Sequence, residues 1–238
     1  MRLDIITCCP QLFESPLRHF IFQRAMQQQL LSIYIHNLRD YTPYKHGKID
    51  DQPYGGAAGM LLMVEPIANC IRSLQKERSY DEIIYMAPDG ELLHQDLVNK
   101  CSLKQHLILL CGHYKGIDER IREHFVTLEI SIGDYVLSGG ELPALILADA
   151  MVRVIPGVIS DAASALTDSF QDGLVAPPAY TRPYNFEGKK VPDVLCSGNH
   201  KAIQKWMQQE TVSRTQKRRP HLLKNNYIHR FSRTNLVE

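Results

Sequence analysis

The chain has 238 residues, of which 44% are hydrophobic, and it carries 27 Lys and Arg against 26 Asp and Glu. This balance excludes a disordered chain, and because no apolar run approaches the ~18 residues of a bilayer span, we expect no membrane segment. The first residues, Met1 to Thr7, alternate like a strand and lack the apolar core of a signal peptide. The six cysteines are few for this length, so we expect reduced thiols in a cytoplasmic protein.

Strand-like and helix-like segments alternate through the first part of the chain. In chain order the patterns predict a strand at 3–7, a helical stretch over 13–26, a strand at 31–38, a polar glycine-rich stretch at 41–59, a helix at 64–75, a strand at 82–87, a helix at 95–101, strands at 107–112 and 125–132, and an apolar helix at 141–154. This alternation is typical of α/β proteins whose parallel sheet is covered on both faces.

The pattern changes after Pro156 and Gly157. Residues 157–181 are small and polar and predict a long connecting loop, a kind of segment that is commonly functional or disordered. A helix is predicted over 200–216, where Asn199 gives a capping context, and we expect the end of the basic tail that follows to be mobile.

Positive charge is concentrated at the C-terminal end. Residues 1–181 hold 15 Lys and Arg against 22 Asp and Glu, whereas residues 182–238 hold 12 against 4. Such a basic segment suits a polyanion, because each cation placed on a phosphate releases condensed counterions. A solvated surface or a dimer contact with the acidic part would carry the same charge, so composition leaves these alternatives open.

The usual cofactor and nucleophile motifs are missing. The sequence has no GxGxxG after a strand and no GK[ST] phosphate loop, and HExxH, CxxC and GxSxG are missing as well. Cys111 and His113 are only two ligands, so we expect no metal site, and adjacent Cys8 and Cys9 favour packing over redox chemistry.

Three glycine-bearing loops follow predicted strands, at 86–90, 111–118 and 131–141. The carboxyl ends of parallel strands meet at one edge of a sheet, where ligands bind in open α/β folds. Side by side, these loops would form a pocket of exposed backbone amides that suits an adenine edge and a ribose better than a triphosphate. Each loop alone is equally compatible with a tight turn.

Two more segments have chemical interest. The glycine-rich stretch 53–60 would let a backbone approach a substrate closely, or is a flexible turn. Asp168 lies in the long loop, where a carboxylate is most often solvated.

In combination, these segments resemble the bacterial tRNA (guanine-N1)-methyltransferase family of the knotted SPOUT class. The matching stretches run in family order and are Asp50–Gly56, Cys111–Gly112, Gly116–Arg120, Ile132–Glu141, Asp168–Phe170, Tyr180–Pro183 and Ser197–His200. The chain departs from the family pattern at His113 and Lys115, which replace Arg and Glu, and at Ala57 and Ala58, which replace Gly and Pro.

The resemblance implies an α/β fold with a parallel sheet: a trefoil-knotted methyltransferase domain over 1–158, a flexible linker over 159–178 that carries the catalytic carboxylate, and a small, mainly helical, basic tRNA-binding domain and tail over 179–238. It also implies a homodimer with active sites at the subunit interface and S-adenosylmethionine bound in the knot loops. The implied cofactor residues are Ala87, Pro88, Gly112, Ile132, Gly133, Asp134, Tyr135, Val136, Leu137, Gly139 and Gly140.

The implied reaction is methylation of guanine N1 at position 37, immediately 3′ of the anticodon. Neutral guanine carries a proton at N1, so the reaction needs a base there and a cation near O6, where negative charge develops. By resemblance Asp168 is the base and Arg153 the cation. The implied substrate residues are Asp50, Tyr54, Gly55, Gly59, Ser169, Arg182, His200, Lys201, Arg214, Arg218 and Arg219.

Three alternatives stay open from the sequence. The chain could be a related knotted enzyme with another RNA target, such as rRNA or a ribose hydroxyl. It could be an RNA-binding protein that kept the scaffold without activity, which Lys115 would favour. A small-molecule nucleotide enzyme is the third, and it leaves the basic segment unexplained.

Overall fold

The structure is a computed structural model that describes residues 1–159 and 168–223. The chain divides into two compact units, Met1–Ala162 and Ala163–Glu238. Within the described ranges, no helix has both the length and the apolar character that a bilayer crossing requires.

The first unit is built on a five-stranded sheet in the order β2-β1-β6-β5-β7, in which every pair of neighbours is parallel. The strands are β1 (Arg2–Thr7), β2 (Ser32–Asn37), β3 (Asp50–Asp51), β4 (Leu61–Leu62), β5 (Glu82–Leu92), β6 (His106–Cys111) and β7 (Leu128–Ser131). Strands β3 and β4 form a separate antiparallel pair. The predicted α/β class with a central parallel sheet is confirmed.

Helices cover both faces of this sheet. They are α1 (Phe20–Gln27), α2 (Val64–Glu77), α3 (Gln95–Ser102), α4 (Glu119–His124) and α5 (Glu141–Arg153). Leu3 and Ile5 face one apolar cluster with α1, α3 and α5, whereas Ile6 faces a second cluster with α2 and α4. Because side chains alternate along a strand, strands covered on both sides read as continuous apolar runs.

Two predicted elements have different bounds in the structure. The helical stretch predicted over 13–26 begins as 3-10 turns at Pro10–Phe13 and Pro16–Arg18, and α1 starts only at Phe20. Proline starts such a turn readily but cannot continue a helix, which explains the interruptions. The strand predicted over 125–132 starts at Leu128, because the N–H groups of 125 and 126 both bond to the Ile121 carbonyl and end α4.

A buried carboxylate ties β1 to its surroundings. Asp4 has a fully buried side chain, and it accepts hydrogen bonds from Arg2 at 2.7 and 2.9 Å and from the Tyr80 hydroxyl at 2.9 Å. Its Oδ1 also lies 2.8 Å from His36 Nε2. Burial opposes ionisation, but the hydrogen bonds from His36, Arg2 and Tyr80 outweigh it and lower the pKa of Asp4 to about 2.

The described part of the second unit includes a short hairpin and two helices with defined bounds. They are β8 (Asn185–Phe186), β9 (Lys189–Lys190), α6 (Asp193–Cys196) and α7 (His200–Arg218). Helix α7 matches the helix predicted over 200–216, and the Asn199 side chain caps it by accepting from the Ala202 N–H at 3.2 Å. Residues 168–181 form turns and bends followed by chain without regular secondary structure, as expected for a loop. Positions 160–167 of the predicted linker and the predicted mobile tail at 224–238 lie outside the described residues.

Candidate active site

A cavity of about 460 Å³ lies at the carboxyl ends of β5, β6 and β7. This volume falls within the range of ~300–1,000 Å³ that is typical of small-molecule sites. Residues from all three predicted glycine-bearing loops line it, so the loops do converge on one pocket.

A bulge in β5 supplies the first wall. The strand pairs with β7 up to Met86, loses register, and resumes pairing at Glu91. In the interruption Ala87, Pro88 and Asp89 turn toward the cavity and line it. The predicted strand ended at Ala87 because proline and glycine normally stop a strand, and here the strand continues beyond them.

The loop after β6 and the loop after β7 supply the other two walls of the cavity, and they contact each other at glycines. The Gly140 N–H donates to the Gly112 carbonyl at 2.8 Å. A Cβ placed on Gly140 would lie 2.9 Å from the backbone of Cys111 and Gly112, closer than real Cβ atoms come. Gly140 therefore allows a close approach of two backbones rather than an unusual dihedral angle, since its φ is −84°.

The charge of the cavity wall is modest. Arg122 is held by Glu129 and, at 2.8 Å, by Asp89, so its charge is compensated. Lys115 also lines the cavity and makes no ion pair among the described residues. A triphosphate needs several converging cations or amide donors, and this wall does not provide such a set of cations.

Ten of the eleven predicted cofactor residues line the cavity, and Asp134 does not. Their role as cofactor ligands stays a prediction, but the structure brings them together. Sequence reasoning missed Tyr85 and Arg122 as wall residues. Alternation along β5 could have suggested Tyr85, whereas Arg122 lies on α4, a helix that the patterns did not predict.

The predicted substrate loop at 53–60 reaches the cavity at one end. The Lys115 N–H donates to the Met60 carbonyl at 3.0 Å, and a Cβ on Gly59 would meet the Lys115 side chain at 2.9 Å. At the tip, Tyr54 is fully exposed and nothing lies within 4 Å of a Cβ built on Gly55. Asp50 lies on β3 and is half-buried.

The cysteines near the cavity are not built as nucleophiles. Burial, followed by the neighbouring Cys9, raises the pKa of Cys8 to about 12. Burial also raises the pKa of Cys111 well above its ordinary value. Both thiols are therefore protonated near neutral pH, whereas nucleophilic catalysis needs a thiolate.

Asp168 begins a compact turn in the second unit. The Phe170 N–H bonds to the Leu174 carbonyl at 2.7 Å, and the Ser169 hydroxyl accepts from the Ala176 N–H at 3.0 Å. Asp168 itself is half-buried. Ser169, predicted to contact substrate, thus stabilises the turn that carries Asp168.

The turn is fastened to α7. The Val175 N–H donates to the hydroxyl of buried Thr215 at 3.0 Å, and the Arg219 guanidinium lies 5.6 Å from the centre of the Phe170 ring. Helix α7 carries five Lys and Arg and one Glu. The predicted tRNA-contacting residues are exposed apart from Arg214, which is half-buried, and are Arg182, His200, Lys201, Arg214, Arg218 and Arg219. Arg153, on the first unit, is the exposed last residue of α5.

A family described as tRNA (Guanine-1)-methyltransferase TrmD matches residues 1–225 of the chain. The chain belongs to this family. The match confirms the resemblance seen in the motifs. It covers the first unit, extends into the second unit as far as residue 225, and includes every predicted site residue.

Curated relatives in the methyltransferase family extend the match. A protein of Flavobacterium johnsoniae is 55% identical over 226 residues, which is 95% of this chain and all of the relative. A protein of Bacteroides thetaiotaomicron is 56% identical over 225 residues, which is 94% of this chain and all of the relative. A protein of Cytophaga hutchinsonii is 55% identical over 222 residues, which is 93% of this chain and 94% of the relative. All three are named tRNA (guanine-N(1)-)-methyltransferase.

Proposed function

We propose that this chain methylates N1 of guanosine 37 in tRNA, using S-adenosylmethionine as the methyl donor. The observation that carries the proposal is the cavity formed by three glycine-bearing loops in a chain that matches the family from residue 1 to 225. The names of relatives that are about 55% identical over nearly the whole chain support the same reaction.

The cavity fits this donor on structural grounds. Gly112, Gly139 and Gly140 place backbone rather than side chains at the cavity wall, which lets an adenine ring approach closely, and Ile132, Val136 and Leu137 provide an apolar wall. When bound, S-adenosylmethionine supplies an electrophilic methyl group on a sulfonium. Lys115 offers a positive charge to the carboxylate of S-adenosylmethionine. At this position the family pattern has an acidic residue, which Lys115 replaces in this chain.

The protein residues supply the proton chemistry. Asp168 accepts the proton from guanine N1, and Arg153 stabilises the negative charge that develops on O6. Support for Asp168 comes from the family motif at Asp168–Phe170 and from the turn that fastens this segment to α7, because a base fixed in orientation transfers a proton more effectively. Arg153 rests on the family resemblance alone.

We propose that the active unit is a homodimer. On α5, Ala144, Leu147 and Ala148 are buried, yet Leu142 and Ile146 on the opposite face are 53% and 48% exposed. Val136 in the neighbouring cavity loop is also exposed. Adjacent exposed apolar side chains of this kind mark an interaction surface, and a second copy of the chain is the occupant that the family resemblance implies.

The finer architecture belongs to the same proposal. The close contact between the loops after β6 and β7 supports a trefoil knot over 1–158, and the basic α7 supports a tRNA-binding domain over 179–238. A linker at 159–178 joins them, and its residues from Ser169 to Ala176 form the turn that is fastened to α7. Six unpaired thiols support a cytoplasmic location.

The decisive experiment is methyl transfer from labelled S-adenosylmethionine to tRNA transcripts that differ only in G or A at position 37. We expect labelled product only with G37, recovered as N1-methylguanine. Label on a ribose or in rRNA would favour the related RNA enzymes, and a chain that binds tRNA but not S-adenosylmethionine would be a non-enzymatic homologue.

The same assay tests the role of Asp168. Asp168→Asn keeps the shape of the side chain but removes the base, so kcat falls at least ~10²-fold while the affinity for S-adenosylmethionine is unchanged. Asp172→Asn, in the same turn, is the matched control and keeps its activity. Full activity of Asp168→Asn would remove Asp168 from the role of base.

A further inference from the structure

Four side chains with metal-binding atoms converge beside the candidate active site. Cys8, Cys9, His113 and Glu141 each place one ligand atom within 4.8 Å of all the others, and they form the one such group of three or more among the residues the structure describes. They come from the end of β1, the loop after β6 and the start of α5. No local pattern indicated this cluster, because folding brings together residues that lie far apart in the chain.

The spacing is close to that of a tetrahedral site. The sulfur atoms of Cys8 and Cys9 are 3.7 Å apart, and for two zinc–sulfur bonds of ~2.3 Å a tetrahedron requires about 3.8 Å. His113 Nδ1 and Glu141 Oε2 are 3.9 Å apart, whereas bonds of ~2.1 Å require about 3.4 Å. A movement of about half an ångström at the partly exposed imidazole would bring this pair to that distance, and the four sulfur-to-nitrogen and sulfur-to-oxygen distances lie within 4.8 Å.

Thr7 orients two of these groups. Its hydroxyl donates to Glu141 Oε1 at 2.8 Å and accepts from the Cys9 N–H at 2.9 Å. The second carboxylate oxygen, Oε2, is thereby directed toward His113, although the Glu141 side chain is only 2% exposed. Hydrogen bonds that fix metal ligands from behind are a regular feature of protein metal sites.

His113 supplies the observation that points to a ligand. Its Nδ1 atom is buried and has no hydrogen-bond partner within the described part of the chain. Buried polar atoms are nearly always paired, and one left unpaired costs about 1–3 kcal/mol. At 3.9 Å the Glu141 oxygen is too distant to satisfy it directly, but a metal ion between the two groups would satisfy both.

We propose that Cys8, Cys9, His113 and Glu141 form a binding site for a zinc-class divalent ion. Two cysteines that release their thiol protons to solvent when the ion binds, an imidazole and a carboxylate suit Zn²⁺ and exclude Mg²⁺ as the preferred ion. The ion joins the ends of β1 and β6 to α5. It lies against the loop of the donor cavity, since a Cβ on Gly139 would be 2.3 Å from Glu141 Oε2 and 2.6 Å from His113 Nδ1. Its role is to stabilise that loop, and no step of the methyl transfer depends on it.

Cobalt provides a direct readout, because thiolate-bound Co²⁺ has sulfur-to-metal charge-transfer absorption. Full-length protein is stripped with a chelator, titrated with Co²⁺ alone and then with Zn²⁺. We expect a near-ultraviolet band that saturates at one ion per chain and is abolished by zinc. The band should be lost in Cys8→Ser/Cys9→Ser and kept in Cys196→Ser, whose cysteine is exposed and lies in the second unit.

A second variant guards against misfolding of the double serine variant. Thr7→Val keeps all four ligands but removes the hydroxyl that orients Glu141 and Cys9, so its Co²⁺ affinity falls ~10–100-fold while circular dichroism stays that of the wild type. A wild-type protein without a charge-transfer band, or a band that persists in Cys8→Ser/Cys9→Ser, would overturn the proposal.

Discussion

Gly140→Ala tests how closely the two loops of the donor cavity must approach. The backbone angles of Gly140, φ −84° and ψ 0°, are accessible to alanine, so the substitution adds one methyl group without dihedral strain. That methyl group would lie 2.9 Å from Cys111 Cα and Gly112 N, against an ordinary contact of 3.4–4 Å. The loops must therefore separate by about half an ångström, which weakens the 2.8 Å hydrogen bond between Gly140 and Gly112.

The size of the effect follows from this clash. Overpacking of this kind costs about 1–3 kcal/mol. The unliganded protein relieves the clash by moving the loops apart, and ligand binding must restore their spacing. The cost therefore reappears as a roughly 5- to 150-fold increase in the Kd for S-adenosylmethionine.

Isothermal titration of purified Gly140→Ala with S-adenosylmethionine measures this change. Ser138→Ala is the matched control, because Ser138 lines the same cavity and the substitution removes an atom instead of adding one. Its Kd should stay within about twofold of the wild type. If the Kd of Gly140→Ala also lies within about twofold of the wild-type value, the reasoning is refuted, even if the variant melts at a different temperature.

Three further predictions concern stability, assembly and RNA binding. The pKa of Asp4 is lowered from 3.8 to about 2, so its carboxylate stabilises the fold by about 2 kcal/mol above pH 4, and this effect is lost as the pH falls toward 2. In denaturant unfolding, Asp4→Asn should have a lower free energy of unfolding than the wild type at pH 7, and the difference should shrink at acid pH. A difference that does not change with pH would contradict this. Ile146→Glu places a charge on the exposed apolar face of α5 and should yield monomers in analytical ultracentrifugation, whereas the wild-type chain should sediment as the proposed dimer; a wild-type monomer or a dimeric variant would contradict this. Arg218→Gln should raise the KM for tRNA and flatten its salt dependence at constant kcat, whereas Arg219→Gln should also lower kcat because Arg219 packs on Phe170; equal effects of the two would contradict the distinction.

Much of the first unit could be predicted from local pattern. Buried parallel strands are continuous apolar runs, so segments such as 107–112 were recognisable, and the amphipathic pattern of α2 gave its position to within two residues. The bulge in β5 could not be predicted, because residues 87–90 read as a turn and only the neighbouring β7 restores the strand at Glu91. The late start of α1 at Phe20 was not predicted, because the apolar spacing continues through Pro16.

In the candidate site, too, features with a local sequence pattern could be predicted and contacts between distant residues could not. Glycine-bearing loops after consecutive strands predicted a pocket, because parallel topology brings strand ends together whatever their detailed packing. Contacts between distant residues had no local signal. The Arg122 ion pairs on the wall depend on α4, and the hydrogen bond of Thr7 to Glu141 depends on how α5 returns to β1.

The attachment of the Asp168 turn to α7 has a consequence for substrate choice. Through Thr215 and Arg219, the proposed proton acceptor and the basic helix belong to one piece of structure. The distance from α7 to the Asp168 carboxylate is therefore set by the protein before any RNA binds. An RNA whose backbone meets the helix at the wrong distance from its guanine would be bound but not modified, so selectivity would depend on a distance along the anticodon arm as well as on the guanine itself.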